Sequence, residues 1–353
     1  MNSKIRIGVC GYGNLGGALE SEIRKNSDME LTAFFTRRDP GGLRVGSGKP
    51  VERADAAAGW KDKIDVMVLC GSSSNDFPAQ GLGFAKNFNT VDSFDTHSKI
   101  PGYFAEIDAV AKAANTVSVI SAGWDPGLFS LLRVYMESII PNGHSYTFWG
   151  KGVSQGHSDA IRRIDGVENA IQYSVPVDAA VVSVRNCENP VLSPREKIKR
   201  VCYVAVKRDA DKEAITEKIK NMPDYFADYD TTVHFISNDE LIREHGRLTH
   251  GGNVIRTGET GGDAGGPDGA SETGGDAGSA SGVDADGARN KQVLEFSLKL
   301  DSNPEFTASV MLAYARAAHR LSARGERGAR TVADIPPALL SPMSYDDILR
   351  TML

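Results

Sequence analysis

A short apolar segment that runs directly into a glycine-rich turn constrains the fold of this chain more than any other feature. Residues 5–10 are mostly apolar, Gly11-x-Gly13-x-x-Gly16 follows at once, and apolar residues then recur at helical spacing as far as Ile23. A strand that enters a helix in this way needs one glycine for the bend, one for the approach of a pyrophosphate and one for close helix–strand packing. The pattern predicts a βαβ unit with a dinucleotide at the start of the helix.

The end of the next predicted strand, residues 30–36, indicates which dinucleotide is bound. An NAD-preferring site places Asp or Glu there to accept a hydrogen bond from the ribose 2′-hydroxyl. This chain has Thr36, Arg37 and Arg38 instead. A hydroxyl and two guanidinium groups suit a 2′-phosphate, because the planar guanidinium binds phosphate oxygens in pairs. We therefore expect NADP; the alternative is that both arginines are ordinary surface charges.

Length and composition favour an enzyme that acts on small molecules. The 353 residues predict two domains, and 41% apolar residues suffice for a core in each. Forty basic against 46 acidic residues give a net charge of −6, so no positive field attracts nucleic acid or an anionic membrane. No apolar run approaches the ~20 residues of a membrane span, and no signal pattern precedes the first strand, so we expect a cytoplasmic protein.

Strand-like and helix-like segments alternate as far as residue 121, which is typical of a doubly wound parallel sheet of Rossmann type in an α/β fold. Ligands bind such sheets at the loops that follow the strands. Besides the Thr-Arg-Arg segment, the expected cofactor-binding residues are those of the glycine turn and of three later loops: Gly11, Tyr12, Gly13, Asn14, Leu15, Cys70, Gly71, Ser72, Ser73, Ser93, Phe94, Asp95, Ala122, Gly123, Trp124, Asp125 and Pro126.

Residues 122–302 predict a second, α+β domain with a single mixed or antiparallel sheet. A Gly/Asp-rich segment at about 258–287 predicts a mobile acidic loop at the tip of a hairpin. The run that begins at Asn303 predicts a long helix with this asparagine as its N-cap and Pro304 in the first turn. We expect residues 303–353 to return to the first domain.

Two carboxylates follow predicted strands on the side where the nicotinamide ring is expected. Asp95 and Asp125 could hold an ammonium group and accept its proton, or could serve only as turn residues. Hydrolytic and metal-based chemistry lacks support, because no Ser-His-Asp order, His-Glu-x-x-His or acidic metal loop occurs. The four cysteines form no Cys-x-x-Cys pair, so neither a zinc site nor a disulfide framework is expected, and we predict no metal.

Four further polar or aromatic positions have both a structural and a functional interpretation. Trp149 precedes a glycine-broken segment, residues 150–159, that is typical of an exposed functional loop. Arg200 ends a basic run that is typical of a solvated surface, and His250 before two glycines could bind an anion or be structural. The helix signature already explains Asn303.

These segments together resemble the meso-diaminopimelate D-dehydrogenases, bacterial NADP-dependent amino-acid dehydrogenases. The resemblance extends along nearly the whole chain. Its motifs are Gly-Tyr-Gly-Asn-Leu-Gly from Gly11, Thr-Arg-Arg from Thr36, Val-Asp-Ser-Phe-Asp-Thr-His from Val91, Gly-Trp-Asp-Pro-Gly from Gly123, Thr-Phe-Trp-Gly from Thr147, Ser-Gln-Gly-His-Ser-Asp-Ala from Ser154, His-Gly-Gly from His250 and Leu-Asp-Ser-Asn-Pro-Glu-Phe-Thr-Ala-Ser from Leu300.

The resemblance implies reversible oxidative deamination of meso-2,6-diaminopimelate at its D-centre, which supplies lysine and cell-wall precursors. Hydride transfer from the D-carbon to NADP⁺ would be followed by attack of water and release of ammonia. The resemblance also implies a homodimer built on the second domain. The implied substrate-binding residues are Asp95, Trp124, Asp125, Trp149, Gln155, Gly156, Ser174, Arg200, His250 and Asn303.

The sequence departs from the family pattern at two places. Ser174 stands where the family usually has Thr, and the Gly/Asp-rich loop is longer than the usual connection. Two other functions stay open at this point: a related NADP-dependent reductase of another amino or imino acid, and a non-catalytic NADP-binding sensor.

Overall fold

The computed structural model describes residues 4–73, 76–261 and 289–353. Of the predicted loop at about 258–287, residues 262–287 lie outside the described residues. The chain divides into two compact units, Met1–Val134 with Leu300–Leu353, and Tyr135–Lys299. This division differs from the predicted one at residues 122–134, which group with the first unit.

The strands are β1 Ile5–Cys10, β2 Met29–Thr36, β3 Val51–Arg53, β4 Val66–Leu69, β5 Asn89–Val91, β6 Val117–Val119, β7 Gly143–Trp149, β8 Gly152–Val153, β9 Val167–Pro176, β10 Ile198–Val206, β11 Asp230–Phe235, β12 His250–Thr260, β13 Asn290–Leu300 and β14 Gly328–Arg330.

The α-helices are α1 Asn14–Lys25, α2 Phe77–Ala85, α3 Ile100–Ala114, α4 Leu128–Ile139, α5 Gln155–Arg162, α6 Asp178–Arg185, α7 Pro194–Lys197, α8 Lys212–Lys220, α9 Asn238–His245, α10 Asn303–Ala323, α11 Pro337–Leu340 and α12 Tyr345–Thr351. Short 3₁₀ segments cover Pro40–Gly42, Ala54–Lys63, His97–Lys99 and Val332–Asp334.

The first unit is a parallel seven-stranded sheet between two layers of helices. The strand order is β14-β6-β5-β4-β1-β2-β3, and each strand pairs in parallel with its neighbours. On one face, β1 and β2 side chains pack with those of α1 and α10. On the other face, the sheet packs against α2, α3 and the segment Ala54–Lys63. The predicted doubly wound α/β fold is thereby confirmed.

The second unit is an α+β unit that contains two sheets, not the single sheet predicted. One has the order β11-β10-β9-β8, with β10 antiparallel to β9 and parallel to β11. The other has the order β13-β12-β7. Each sheet has its own apolar core, the first with α5 and α8 and the second with α6. β7 pairs with β12, whereas β9 pairs with β10. Local alternation indicates that a segment is a strand but not which distant strand it pairs with, so the sequence pattern did not separate the two sheets.

The described residues offer no grouping of three or more His, Cys, Asp and Glu side chains suited to a metal ion. All four cysteines are free thiols. Burial raises the pKa of Cys10 and of Cys202 to about 12. Within the part of the chain that the structure describes, no helix is long and apolar enough to cross a bilayer.

Candidate active site

The turn between β1 and α1 lies at the carboxyl edge of the parallel sheet. Gly11 has φ +101°, a conformation that glycine adopts at no steric cost. A Cβ atom on Gly16 would lie 2.2 Å from the carbonyl oxygen of Gly11, whereas no protein atom lies within 4 Å of a Cβ built on Gly13. No side chain caps the start of α1, and its first turn contains no acidic residue. The helix N-terminus is therefore suited to an anion.

The Thr-Arg-Arg segment lies beside this turn. The guanidinium of Arg38 donates to the main-chain oxygen of Tyr12 (2.9 Å), and its main-chain N–H donates to the hydroxyl of Thr36 (3.1 Å). Arg37 forms an ion pair with Asp76, which directly precedes α2. Both arginines are exposed. The structure thus places two accessible cations and one hydroxyl at the carboxyl end of β2.

The loops after β4 and β5 contact each other at the same sheet edge. The main-chain N–H of Asp95 donates to the hydroxyl of Ser73 (2.8 Å), and the main-chain N–H of Ser72 donates to the carboxylate of Asp76 (2.7 Å). The ring of Phe94, a predicted cofactor contact, is buried and stacks on Tyr103 with centroids 4.3 Å apart. Its side chain therefore belongs to the core, and only its main chain is left for a cofactor.

Trp124 and Asn303 are brought together although 179 positions separate them. The indole Nε1 of Trp124 donates to Oδ1 of Asn303 (2.9 Å), and the hydroxyl of Thr307 donates to the same oxygen (3.2 Å). Ser302 occupies the N-cap position of α10. The prediction that Asn303 is the N-cap was wrong, because its amide is aimed at the indole and not at the helix N–H groups.

The two candidate carboxylates have different environments. Asp125 accepts from Arg133 of α4 at 2.6 Å and 3.4 Å, and its side chain is 2% exposed. Asp95 is exposed. The ion pair fixes the orientation of the Asp125 carboxylate. The sequence alone had left open whether Asp125 is only a turn residue.

Predicted site residues of the second unit lie on β7, α5, β9, β10 and β12. Trp149 ends β7 and is 39% exposed, and Gln155 and Gly156 are exposed at the start of α5. The predicted loop over residues 150–159 was wrong, because this segment contains β8 and the start of α5. Ser154, the N-cap of α5, accepts the main-chain N–H of His157. The glycines indicated a loop, but the cap residue initiates a helix.

His250 is the first residue of β12 and is partly buried. Its Nδ1 accepts the main-chain N–H of Gly251 (2.8 Å). Burial lowers the pKa of His250. The imidazole is therefore a neutral hydrogen-bonding group over most of the physiological pH range.

Arg200 is a buried cation, in contrast to the predicted solvated surface. It lies on β10 opposite Ser174 of β9, is 7% exposed, and donates from Nη1 to the Ser174 hydroxyl. Its guanidinium carbon lies 4.0 Å from the centre of the Tyr229 ring. Among the described residues its Nε has no hydrogen-bond partner and no acidic side chain pairs with it. Burial lowers the pKa of Arg200, as expected for a cation that lacks an anion.

The sequence did not indicate which residues contact the candidate site residues and fix their positions. Asp76 pairs with Arg37, Arg133 pairs with Asp125, and Tyr229 lies under Arg200. None belongs to a motif. Asp76 alone gave a signal, since an acid before an apolar helix is typical of a helix start.

This chain is similar in sequence to known proteins along nearly its whole length. The profile of the Diaminopimelic acid dehydrogenase C-terminal domain matches residues 123–266. The chain is 53% identical over 351 residues to the meso-diaminopimelate D-dehydrogenase of Ureibacillus thermosphaericus, which covers 99% of this chain and 100% of the relative.

Two solved structures resemble the fold along its length. One is a mutant meso-diaminopimelate dehydrogenase of Clostridium tetani with DAP, with TM-score 0.86 and 47% identity over 99% of this chain and 100% of that one. The other is an engineered D-amino acid dehydrogenase bound to NADP⁺, with TM-score 0.80 and 38% identity over 99% and 100% of the two chains. On full-length identity and shared fold, the chain belongs to the meso-diaminopimelate D-dehydrogenase family.

Proposed function

We propose that this protein oxidises meso-2,6-diaminopimelate at its D-centre with NADP⁺, giving L-2-amino-6-oxopimelate and ammonia in the supply of lysine and cell-wall precursors. The observation that carries the proposal is the 53% identity along 99% of the chain to an enzyme of that name. Arg200 is buried and forms no ion pair with an acidic side chain among the described residues, which supports a substrate with a second carboxylate.

The residues of the first unit fit NADP. The uncapped N-terminus of α1 and the open space at Gly13 suit the pyrophosphate. Thr36, Arg37 and Arg38 suit the 2′-phosphate, because exposed guanidinium groups can each give two hydrogen bonds to it. An engineered relative of this fold is described as bound to NADP⁺. When bound, the nicotinamide supplies a hydride acceptor for the D-carbon.

We assign the handling of the D-centre to residues of the first unit. Asp125, held by Arg133, orients the substrate ammonium, and the exposed Asp95 accepts the proton of the attacking water. The Trp124 indole, held by its hydrogen bond to Asn303, provides a flat surface for the substrate to contact. The ammonium loses one proton before the D-carbon gives up its hydride. Water then adds to the iminium carbon, and both water protons leave with the nitrogen as ammonium ion, so that one hydride and one proton are lost overall.

We assign recognition of the distal L-centre to residues of the second unit. Arg200 and Ser174 bind the distal carboxylate, because the guanidinium has no anionic partner within the described part of the chain and donates to the Ser174 hydroxyl. His250 adds a neutral hydrogen-bonding group. We also assign Trp149, Gln155 and Gly156 to substrate binding. These contacts decide which of the two ends of opposite hand is oxidised.

The meso, LL and DD isomers of diaminopimelate test the proposal. Purified protein is mixed with each isomer and NADP⁺, and NADPH formation is followed at 340 nm. We expect turnover of the meso isomer and none of the LL isomer, because LL lacks a D-centre. Equal turnover of LL, or cofactor binding without turnover of the meso and DD isomers, would contradict the proposal; the second result indicates a sensor.

Arg37→Asp is expected to weaken NADP binding by about 100-fold and NAD binding little, since charge-assisted hydrogen bonds to a phosphate are lost. Fluorescence titration with both cofactors measures the effect. Arg24→Asp, the same charge change at the opposite end of α1, is the matched control and leaves both affinities unchanged. Equal losses for NADP and NAD with Arg37→Asp would remove the 2′-phosphate role.

We also infer a cytoplasmic homodimer that associates through the second unit. That unit exposes apolar side chains at Val182, Val191 and Ile242, more than half exposed in each case. Four free thiols suit a reducing compartment. Sedimentation velocity decides whether the species in solution has the mass of one chain, 37.9 kDa, or twice that mass.

A further inference from the structure

Asp92 joins the ends of two neighbouring strands in the first unit. It directly follows β5, which pairs with β6 through Val91 and Val119. Its main-chain N–H donates to the oxygen of Val119 (3.0 Å), and its main-chain oxygen accepts from Ala122 (2.8 Å). The side chain is almost wholly buried. Asp92 is therefore anchored to the chain that leads from β6 to Trp124.

The Asp92 carboxylate contacts both loops through one atom. Oδ1 accepts the main-chain N–H of Phe94 (3.0 Å) and that of Ser121 (3.0 Å). Oδ2 accepts the hydroxyl of Tyr103 (2.8 Å). Ser121 has φ +56°, which is uncommon for a residue other than glycine and requires support from its surroundings.

We propose that Asp92 is a positioning residue for the reaction, whose Oδ1 fixes the loop that carries Asp95 relative to the loop that carries Trp124 and Asp125. This inference rests on the proposed function, which assigns those three residues to the D-centre. Asp92 itself touches neither substrate nor cofactor. It acts through the main-chain N–H groups of the two loops.

Burial raises the pKa of Asp92 to about 6, so the carboxylate is ionised at neutral pH. Burying an ionised side chain costs folding free energy unless the side chain is hydrogen-bonded. Here three donors supply them, and two of the donors are loop amides. An apolar side chain would fill the place without that cost but would leave both amides unpaired. The need to pair the two loop amides therefore explains a carboxylate at position 92 better than core packing does.

Hydrogen exchange tests the anchoring directly, without substrate. In Asp92→Ala, peptides that contain the amides of Phe94 and Ser121 are expected to exchange faster than in the wild type. Asp92→Asn keeps an oxygen for both amides, so protection is expected to return. If the alanine variant does not fold, Asp92→Leu takes its place, because leucine fills the space and accepts no hydrogen bond. Unchanged protection of both peptides in the variant that folds would overturn the proposal.

Kinetics tests the consequence for the reaction. With meso-diaminopimelate, Asp92→Ala is expected to lower kcat by about 100-fold, the typical cost of misplacing reacting groups by 1 Å. Asp92→Asn is expected to recover kcat to within about tenfold of wild type, since it loses one charge-assisted bond at most. NADP affinity should change little in either variant, because its phosphates bind at other residues.

Asp28→Ala is the matched control. Asp28 is an anchoring acid at the opposite edge of the sheet, where it accepts from Arg316 at 2.6 Å and 2.9 Å. Its loss lowers the melting temperature but leaves kcat unchanged. If Asp28→Ala lowers kcat as much as Asp92→Ala does, or if Asp92→Asn fails to recover it, Asp92 is merely structural. If the wild-type enzyme shows no turnover, the proposed function is contradicted. Hydrogen exchange then still tests whether Asp92 anchors the two loops.

Discussion

Replacing Arg200 by leucine is expected to raise the melting temperature of the protein and, at the same time, to raise the KM for meso-diaminopimelate by about 100-fold or more. Both effects have one cause. Arg200 is buried, its Nε has no partner among the described residues, and no acid there neutralises it. Removing an uncompensated buried charge stabilises the fold, but it also removes the partner of the distal carboxylate. Thermal unfolding and steady-state kinetics of one preparation measure both.

Arg256→Leu is the matched control, because Arg256 is as buried as Arg200 but its hydrogen bonds are made. Its guanidinium donates to the main-chain oxygens of Ile140 and Pro141 and to the Ser145 hydroxyl, at 2.6–2.9 Å. This variant is expected to lose roughly 3 kcal/mol of stability and, accordingly, roughly 10 °C in melting temperature, with an unchanged KM in the folded protein. If Arg200→Leu lowers the melting temperature as Arg256→Leu does, the contacts of Arg200 with Ser174 and Tyr229 outweigh the cost of burying its charge, and its assigned role fails.

Gly16→Ala is expected to destabilise the first unit by about 3 kcal/mol or more, one of the largest effects for so small a change. The new Cβ would lie 2.2 Å from the Gly11 oxygen, and a main-chain atom in a tight turn has little freedom to move away. The displaced turn would also lose its affinity for NADP. Denaturant unfolding and cofactor titration follow the two consequences.

Substitutions at the neighbouring glycines are expected to distinguish an effect on folding from an effect on NADP binding. No atom lies within 4 Å of a Cβ at Gly17 or at Gly13. Gly17→Ala, inside α1, is expected to gain about 0.5–1 kcal/mol because alanine favours the helix. Gly13→Ala is expected to keep the fold and to weaken NADP, because its methyl group occupies the space assigned to the pyrophosphate. A Gly16→Ala variant as stable as Gly17→Ala would contradict this account of the turn.

The first unit was predictable from sequence because its signals are local. Each of these signals spans only a few residues: the alternation of strands and helices, the three glycines and the Thr-Arg-Arg segment. The environment of Arg200 was not predictable in this way, because a basic run next to it indicates solvent. Its burial follows from the alternation of β10 and from pairing with Ser174, which depends on register between distant strands.

Asn303 and Asp92 show the same limit. The local signature of a helix start fully explained Asn303, yet its amide contacts Trp124, far away in sequence. Asp92 lies within the motif that begins at Val91, but nothing in its local sequence distinguishes it from Asp95, three residues later. Only the pairing of β5 with β6 shows that the Asp92 carboxylate reaches Ser121.

The first unit is built from both ends of the chain, and this orders its assembly during synthesis. Leu300–Leu353 supplies α10, which covers one face of the sheet, and β14, which completes one edge next to β6. A ribosome delivers residues 1–134 first and must then translate all of the second unit before α10 emerges. Until α10 is translated, the sheet of the first unit has a bare apolar face, and a chain that stops directly after residue 299 has a whole second unit and an incomplete first one.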